Sequence, residues 1–421
     1  MEKQDSFGRI PRRSFLTGSA ALAGVASLGI PVTGQNNTAS PNETIGFALI
    51  GCGGMGNAHL DAVTRLKNSG YPVRIIAVCD VYQVRLDQAA AKTGAKKYTD
   101  YRKLLEDSDV DVVGIATPDH WHARMCIDAA AAGKDIYCEK PMTHWRELHE
   151  ARQVVQAVSE NKRVMQVGTQ GMSDSIWEQI FQEVSAGKLG PVVSAQASDM
   201  RNGPLGVYDP ASTDGQAKPG ENLDWEAWLG SAPKRPFNSG RYFAYRSFWD
   251  YSGGVATDFF PHILTPIVRM LNLGFPHKVS AMGGQFAYKE GREIPDMFTL
   301  TAVYKDGMTV LLFGSICNGV NIPMLARGHK ATVYPRQGPG AVIRPERAVS
   351  GDAPEIEITR TRGESLDEHF RDLLDCVKSR NRPRSHEELG LRVMTVLHMG
   401  IHSYLMGKTL TFDEETFGVV G

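Results

Sequence analysis

The chain predicts a two-domain α/β protein. A doubly wound, parallel-sheet nucleotide-binding domain comes first, then an α+β domain with a large, mostly antiparallel open sheet. Three observations carry this. Short β-branched runs alternate with helical spacing from about residue 44 to residue 138, the order that builds a parallel sheet. A glycine-rich turn, Gly51-Cys52-Gly53-Gly54-Met55-Gly56, follows the first of those runs. Beyond residue 278 the pattern changes to two-residue alternation, as in antiparallel strands covered on one face. A length of 421 residues also exceeds what one hydrophobic core usually organises.

Residues 1–44 precede the fold. Arg12-Arg13-Ser14-Phe15-Leu16, with a small-residue, apolar stretch behind it to about Ile30, reads as a twin-arginine export signal. Gly18, Gly24, Gly29 and Pro31 interrupt that stretch, so it is too short to span a bilayer as a stable helix. Val32-Thr33-Gly34 is the best cleavage candidate, and an uncleaved tether stays open. Residues 33–44 have linker composition. The twin-arginine translocase, an expected partner, moves folded proteins, so a cofactor loaded in the cytoplasm would reach the periplasm with the chain and stay tightly bound.

Thr44–Ile50 is the first strand, and helical spacing covers His59–Asn68. Val73–Cys79 is an unbroken run of the kind buried on both faces of a parallel sheet, and Asp80 ends it. A helix, a short strand near Lys97–Tyr98, a helix over 101–106 and the strand Val110–Ala116 continue the alternation. The helix over 120–132 stops at Gly133, and Asp135–Cys138 is the next strand. The nucleotide domain is placed at 45–168 and the second domain, with its C-terminal helices, at 169–421. There Val279–Ala287, Phe298–Tyr304, Thr309–Gly314 and Ala331–Tyr334 alternate as antiparallel strands.

The net charge is −1, and without the first 44 residues, which hold four basic and three acidic side chains, it is −2. No basic run or face favours nucleic acid. The six cysteines form no C-x-x-C pair and read as small buried hydrophobes.

The glycine turn has a strand before it and a helix after it. Gly51, Gly53, Gly54, Met55 and Gly56 therefore form a dinucleotide fingerprint that lets backbone N–H groups approach a diphosphate. Asp80, at the end of the second strand, is placed to hold the adenosine ribose hydroxyls and repels a 2′-phosphate, so NAD is favoured over NADP. Arg85, one helical turn on, tempers that preference, and the plainer reading of Asp80 is a helix N-cap. Thr117, Pro118, His120 and His122, with Glu139 and Lys140, follow strands at the C-terminal sheet edge, where open α/β sheets bind ligands. Lys140 is a candidate for proton chemistry, against a surface lysine before a turn proline. Asp258 and His262, four apart on a helix, share one face, and the imidazole suits removal of a hydroxyl proton. Arg241, Tyr245, Arg246 and Trp249 belong to the densest aromatic run, which suits sugar C–H faces and equally suits core packing or a subunit contact. His120, His122, His144 and His262 do not have metal-ligand spacing, and no metal is expected.

Taken together, these motifs resemble the glucose-fructose oxidoreductase / inositol dehydrogenase / MocA family. The fingerprint, the Thr117-Pro118 turn followed by His122, Glu139-Lys140-Pro141, and Asp258 with His262 carry the likeness. So do Ala131-Ala132-Gly133-Lys134 and the stretch from Glu368 to Arg380, and the likeness runs from about Thr44 to the C-terminus. The segments 225–230 and 246–250 are similar to its exported, sugar-acting branch. The resemblance implies a Rossmann domain, a second-domain sheet serving as an oligomer face, and hydride transfer between a sugar or polyol carbinol and a nicotinamide cofactor, with Lys140, Asp258 and His262 handling the hydroxyl proton. An alternative on the same fold is a glycoside hydrolase-like cycle of transient oxidation and elimination.

Overall fold

The structure is a computed structural model, and it describes residues 44–203 and 208–421. The arginine pair and the linker lie outside the described residues. The first sheet contains β1 (Ile45–Ile50), β2 (Val73–Cys79), β3 (Lys96–Tyr98), β4 (Val112–Ile115), β5 (Asp135–Glu139) and β6 (Met165–Gly168). Their order is β3-β2-β1-β4-β5-β6 and every pairing is parallel. Strand order reverses between β1 and β4, so the chain leaving Ile50 opens the crevice where doubly wound sheets take ligands. β1 is buried at all six positions, which explains a run without alternation.

The connecting helices are α1 (Gly54–Asn68), α2 (Gln83–Thr93), α3 (Tyr101–Leu105), α4 (Asp119–Ala131) and α5 (Leu148–Glu160). α1 begins five residues before the expected His59, because the last three residues of the glycine turn already have helical backbone. The poor helix propensity of Gly54 and Gly56 hid that start. Gly56 is required there: a Cβ would stand 1.9 Å from the carbonyl oxygen of Gly51. α3, α4 and α5 share a core with Ala48 and Ile50 on one face of the sheet. On the other face α1 and α2 are joined by the helix Leu366–Ser379, whose Phe370 stacks on Tyr137 at 4.4 Å and meets Phe47 edge-on at 5.7 Å. A helix from the far end of the chain thus closes the nucleotide-domain core.

The second sheet has ten strands: β7 (Val192–Met200), β8 (Lys278–Gly284), β9 (Met297–Val303), β10 (Thr309–Ser315), β11 (Leu325–Gly328), β12 (Ala331–Gln337), β13 (Gly340–Pro345), β14 (Ile356–Thr359), β15 (Leu410–Asp413) and β16 (Gly418–Val420). Only the β7–β10 pairing is parallel. The helices Phe260–Met270 and Glu387–Met406 cover one face, with Phe260 against Phe298. The register lines up Met282, Thr299, Phe313 and Ser198 in one cross-strand row on the opposite, partly exposed face.

Between β7 and β8, residues 211–251 return to the first sheet as a strap. Leu223 bridges Tyr82, Gln83 N–H donates to Asn222 O at 2.8 Å, and Asp224 N–H donates to Val81 O at 3.0 Å. The Tyr82 hydroxyl donates to Asp214 at 2.8 Å.

Candidate active site

A cleft of about 1110 Å³ follows the C-terminal edge of the first sheet and passes beneath the strap. Gly51, Gly53, Gly54 and Met55 line one end. A Cβ at Gly54 would meet nothing within 4 Å, and α1 begins with neither an acidic side chain in its first turn nor a side-chain cap. Its N-terminal N–H groups are therefore free for an anion. Gly51 adopts φ +92°, which turns the chain tightly off β1. Gly56 does not line the cleft and provides the helix–strand packing described above.

Asp80 stands beside this turn. Its carboxylate accepts N–H from Cys52 at 2.7 Å and from Tyr82 at 2.8 Å. Burial pushes its carboxyl up, while Arg85 and those N–H groups oppose the shift. Thr117, Pro118 and His120 form the opposite lip. The His120 ring N–H donates to Trp228 O at 3.0 Å, and burial lowers its pKa to about 4. His122 departs from expectation. It stands behind the lip, with Nδ1 2.6 Å from Pro141 O and Nε2 2.8 Å from Thr117 O. It braces two loops instead of lining the cleft. The volume, the glycine turn without side chains and the open helix terminus together fit a dinucleotide.

The other end of the cleft holds a cluster of charged and titratable groups. Glu139, the last residue of β5, accepts the ring N–H of His59 at 2.9 Å and the Gln170 amide at 3.2 Å. Burial alone would raise its pKa, but the His59 hydrogen bond and the Lys140 charge hold it below the usual range. The Lys140 ammonium pairs with the Asp258 carboxylate and donates to Asp258 O at 2.9 Å. Asp258 also accepts the Tyr208 hydroxyl at 2.8 Å and has Arg246 Nε at 3.3 Å. Burial works against ionisation, yet the Lys140 and Arg246 cations hold this carboxyl far below the ordinary range.

The ring of His262 lines the same end and makes no hydrogen bond among the described residues. Burial first, and the Lys140 charge second, lower its pKa to about 3, so it is a neutral base at physiological pH. The helix expected to carry both Asp258 and His262 is broken at Phe259, between Val255–Asp258 and Phe260–Met270. Pro261 lacks the N–H that would continue the ladder through that point. Asp258 consequently faces Lys140, and His262 shares the cleft with it without a direct bond.

The aromatic run divides. Tyr245 and Arg246 line the cleft, with the guanidinium 4.6 Å above the Tyr245 ring. Arg241 and Trp249 do not line it: Arg241 pairs with Asp250 and Glu293 above Phe248, and Trp249 packs on Trp145 at 5.3 Å. Both are packing residues. Tyr208, Gln170 and Arg201 belong to the site and were not foreseen. Gln170 follows β6 at the sheet edge that directed attention to Lys140, so the edge rule could have found it. Tyr208 lies in a stretch without periodicity, and nothing in its sequence context marks it.

Residues 45–169 match the model of an oxidoreductase family described as an NAD-binding Rossmann fold, and residues 211–421 match the C-terminal alpha/beta domain of the same family. Inositol 2-dehydrogenase of Salmonella typhimurium is 33% identical over 150 residues, covering 35% of this chain and 43% of that protein. Levoglucosan dehydrogenase of Pseudarthrobacter phenanthrenivorans is 34% identical over 130 residues, covering 30% and 33%. The chain thus matches less than half the length of these curated relatives. The structure of a levoglucosan dehydrogenase in complex with NADH and levoglucosan superposes with a TM-score of 0.66 at 17% identity, covering 87% of this chain and 98% of that one. The WlbA dehydrogenase of Bordetella pertussis, in complex with NADH and UDP-GlcNAcA, gives 0.64 at 18%, covering 88% and 99%. At such identities these structures establish a shared fold.

Proposed function

The chain belongs to the Gfo/Idh/MocA oxidoreductase family, and from that premise we propose that it oxidises a carbinol of a sugar or polyol with a nicotinamide cofactor, NAD in preference to NADP. The observation that carries the reading is the convergence of Lys140, Asp258 and His262 at one end of a cleft whose other end is the glycine turn.

Gly51, Gly53, Gly54, Asp80 and the lip residues Thr117 and Pro118 would hold the dinucleotide, which when bound supplies the hydride acceptor. The neutral His262 ring takes the hydroxyl proton. Asp258 fixes the Lys140 ammonium in place, so that its remaining N–H can donate to the carbinol oxygen and orient it. Tyr208 and Arg246 hold Asp258 in turn, keeping this arrangement ionised despite burial. Tyr245 and Arg246 offer a ring face and hydrogen-bond donors of the kind sugars use.

The cofactor is retained between turnovers in this reading. The strap, bonded to the β2–α2 turn, supports it by roofing the adenosine end. Retention accords with export through the twin-arginine route to the periplasm, and a homo-oligomer forms through the uncovered face of the second sheet. Replacing Arg12 and Arg13 by Lys should keep the protein in the cytoplasm.

The direct test uses the purified native protein. Mass spectrometry should find near-stoichiometric NAD(H). An oxidisable sugar added alone should give one turnover, with absorbance at 340 nm rising to the level of bound cofactor and stopping. Continuous release of the aglycone from an aryl glycoside, without any acceptor, would replace this reading by the elimination cycle.

A further inference from the structure

Arg85 lies on the first turn of α2, where the helix macrodipole disfavours a cation. Its side chain makes no hydrogen bond and no ion pair among the described residues, although it lines the cleft. Asp80, the nearest carboxylate in sequence, is already engaged by the N–H groups of Cys52 and Tyr82. Three rings instead surround the guanidinium: Tyr82 at 5.8 Å, Tyr242 at 5.2 Å and Phe243 at 5.4 Å from their centroids. Its Nη1 stands 3.5 Å from where a Cβ of Gly53 would be, directly over the glycine turn. A preorganised guanidinium that feels the Asp80 charge but hydrogen-bonds to no anion, beside an open helix N-terminus, is half of a phosphate site.

Tyr242 and Phe243 belong to the strap, and Tyr82 is the residue that Leu223 bridges. Two of the three rings around the guanidinium therefore come from the strap. We propose that Arg85 is a ligand of the cofactor diphosphate, held over the glycine turn by the aromatic rings of the strap. This rests on the dinucleotide reading above, and it adds a second-domain device that slows cofactor release.

The test follows release of NADH from the holoprotein by its fluorescence during a chase with excess NAD, at low and high ionic strength. Arg85→Gln should release about 10- to 100-fold faster, the range for losing hydrogen bonds to a charged group, and its rate should depend less on salt. Arg85→Lys, which keeps the charge without the planar fork, should fall between. Phe243→Ala should accelerate release with the salt dependence retained. As competitors, ADP should lose potency in Arg85→Gln and adenosine should not. Melting of each variant in excess NAD confirms folding. Equal losses for adenosine and ADP would place Arg85 on the base or ribose and overturn the assignment. So would a defect confined to NADPH, or a Phe243→Ala variant that releases at the wild-type rate. A native protein that carries no nucleotide and does not bind ADP would defeat the dinucleotide reading itself, a distinct result.

Discussion

Replacing Lys140 by Met separates the two roles proposed for Lys140 and His262. The substitution removes the ammonium with little change of volume. Asp258 keeps Arg246 and the Tyr208 hydroxyl. His262 loses the second-largest of the three causes that lower its pKa to about 3, while burial and the Arg201 charge remain. Removing a nearby unit charge moves a neighbour by on the order of one unit, about 1.4 kcal/mol, so the imidazole should titrate roughly tenfold more readily. It stays neutral at pH 7, and protonation of the base therefore cannot account for lost activity. Turnover should nonetheless fall by ~10²-fold, because the donor that orients the carbinol oxygen is gone. The assay is the imidazole carbon–proton NMR signal of His262, assigned by its absence in His262→Gln, followed through an acid titration. Single-turnover cofactor reduction gives the rate. A His262 that titrates near 6.5 in the native protein, or one that becomes harder to protonate in Lys140→Met, would refute the electrostatic account.

Acid should destabilise the fold. His262 at about 3 and His120, His369, His386 and His398 at about 4 all lie below the unfolded histidine value, so the unfolded chain binds more protons and stability falls as pH drops from about 6.5. Each contributes up to about 2 kcal/mol at pH 5, and His262→Gln should lose less in urea unfolding between pH 7 and pH 5 than wild type; an equal loss would show that His262 does not resist protonation. Gly56→Ala places a Cβ 1.9 Å from a backbone oxygen and should cost about 3 kcal/mol in thermal unfolding, with reduced NAD content. Near-native melting would mean that α1 can shift. Asp80→Ser removes a carboxylate that would repel a 2′-phosphate and should move the NAD/NADP affinity ratio toward NADP; an unchanged ratio would assign the selectivity elsewhere. Phe313→Arg, on the uncovered sheet face, should reduce the mass measured by light scattering to that of one chain, and an unaltered mass would locate the subunit contact on another surface.

The nucleotide-domain order was legible because each β-branched run was short, unbroken and followed by a helix signal, a local pattern that parallel sheets impose on sequence. That Lys140 would lie in the cleft was legible from its sheet-edge position, and His262, singled out for its imidazole chemistry, lies there too. The break at Phe259 was not: Pro261 was visible, but the spacing of Asp258 and His262 argued for one continuous helix. Arg241 and Trp249 show the limit of composition. Tyr, Trp and Arg serve cores and sugar sites alike, and only the fold sends Arg241 to Asp250 while Arg246 reaches Asp258. His122 illustrates the same limit, since bracing Thr117 against Pro141 and touching a cofactor call for the same residue at the same place. β14, β15 and β16 are three or four residues long, below the length at which alternation is readable.

The helix Leu366–Ser379 has a consequence for how the chain is made. Arg65 on α1 meets Asp367 across 302 residues of sequence, and Phe47 and Tyr137 wait for Phe370. Until residues 366–379 are made, α1 and α2 cover that face of the first sheet incompletely, and the nascent chain offers the greasy patch around Phe47 and Tyr137 to chaperones. Burial of that surface is therefore a late event that waits for residues 366–379. A chain cut short before residue 366 should be recognised as unfinished, whatever its glycine turn has bound.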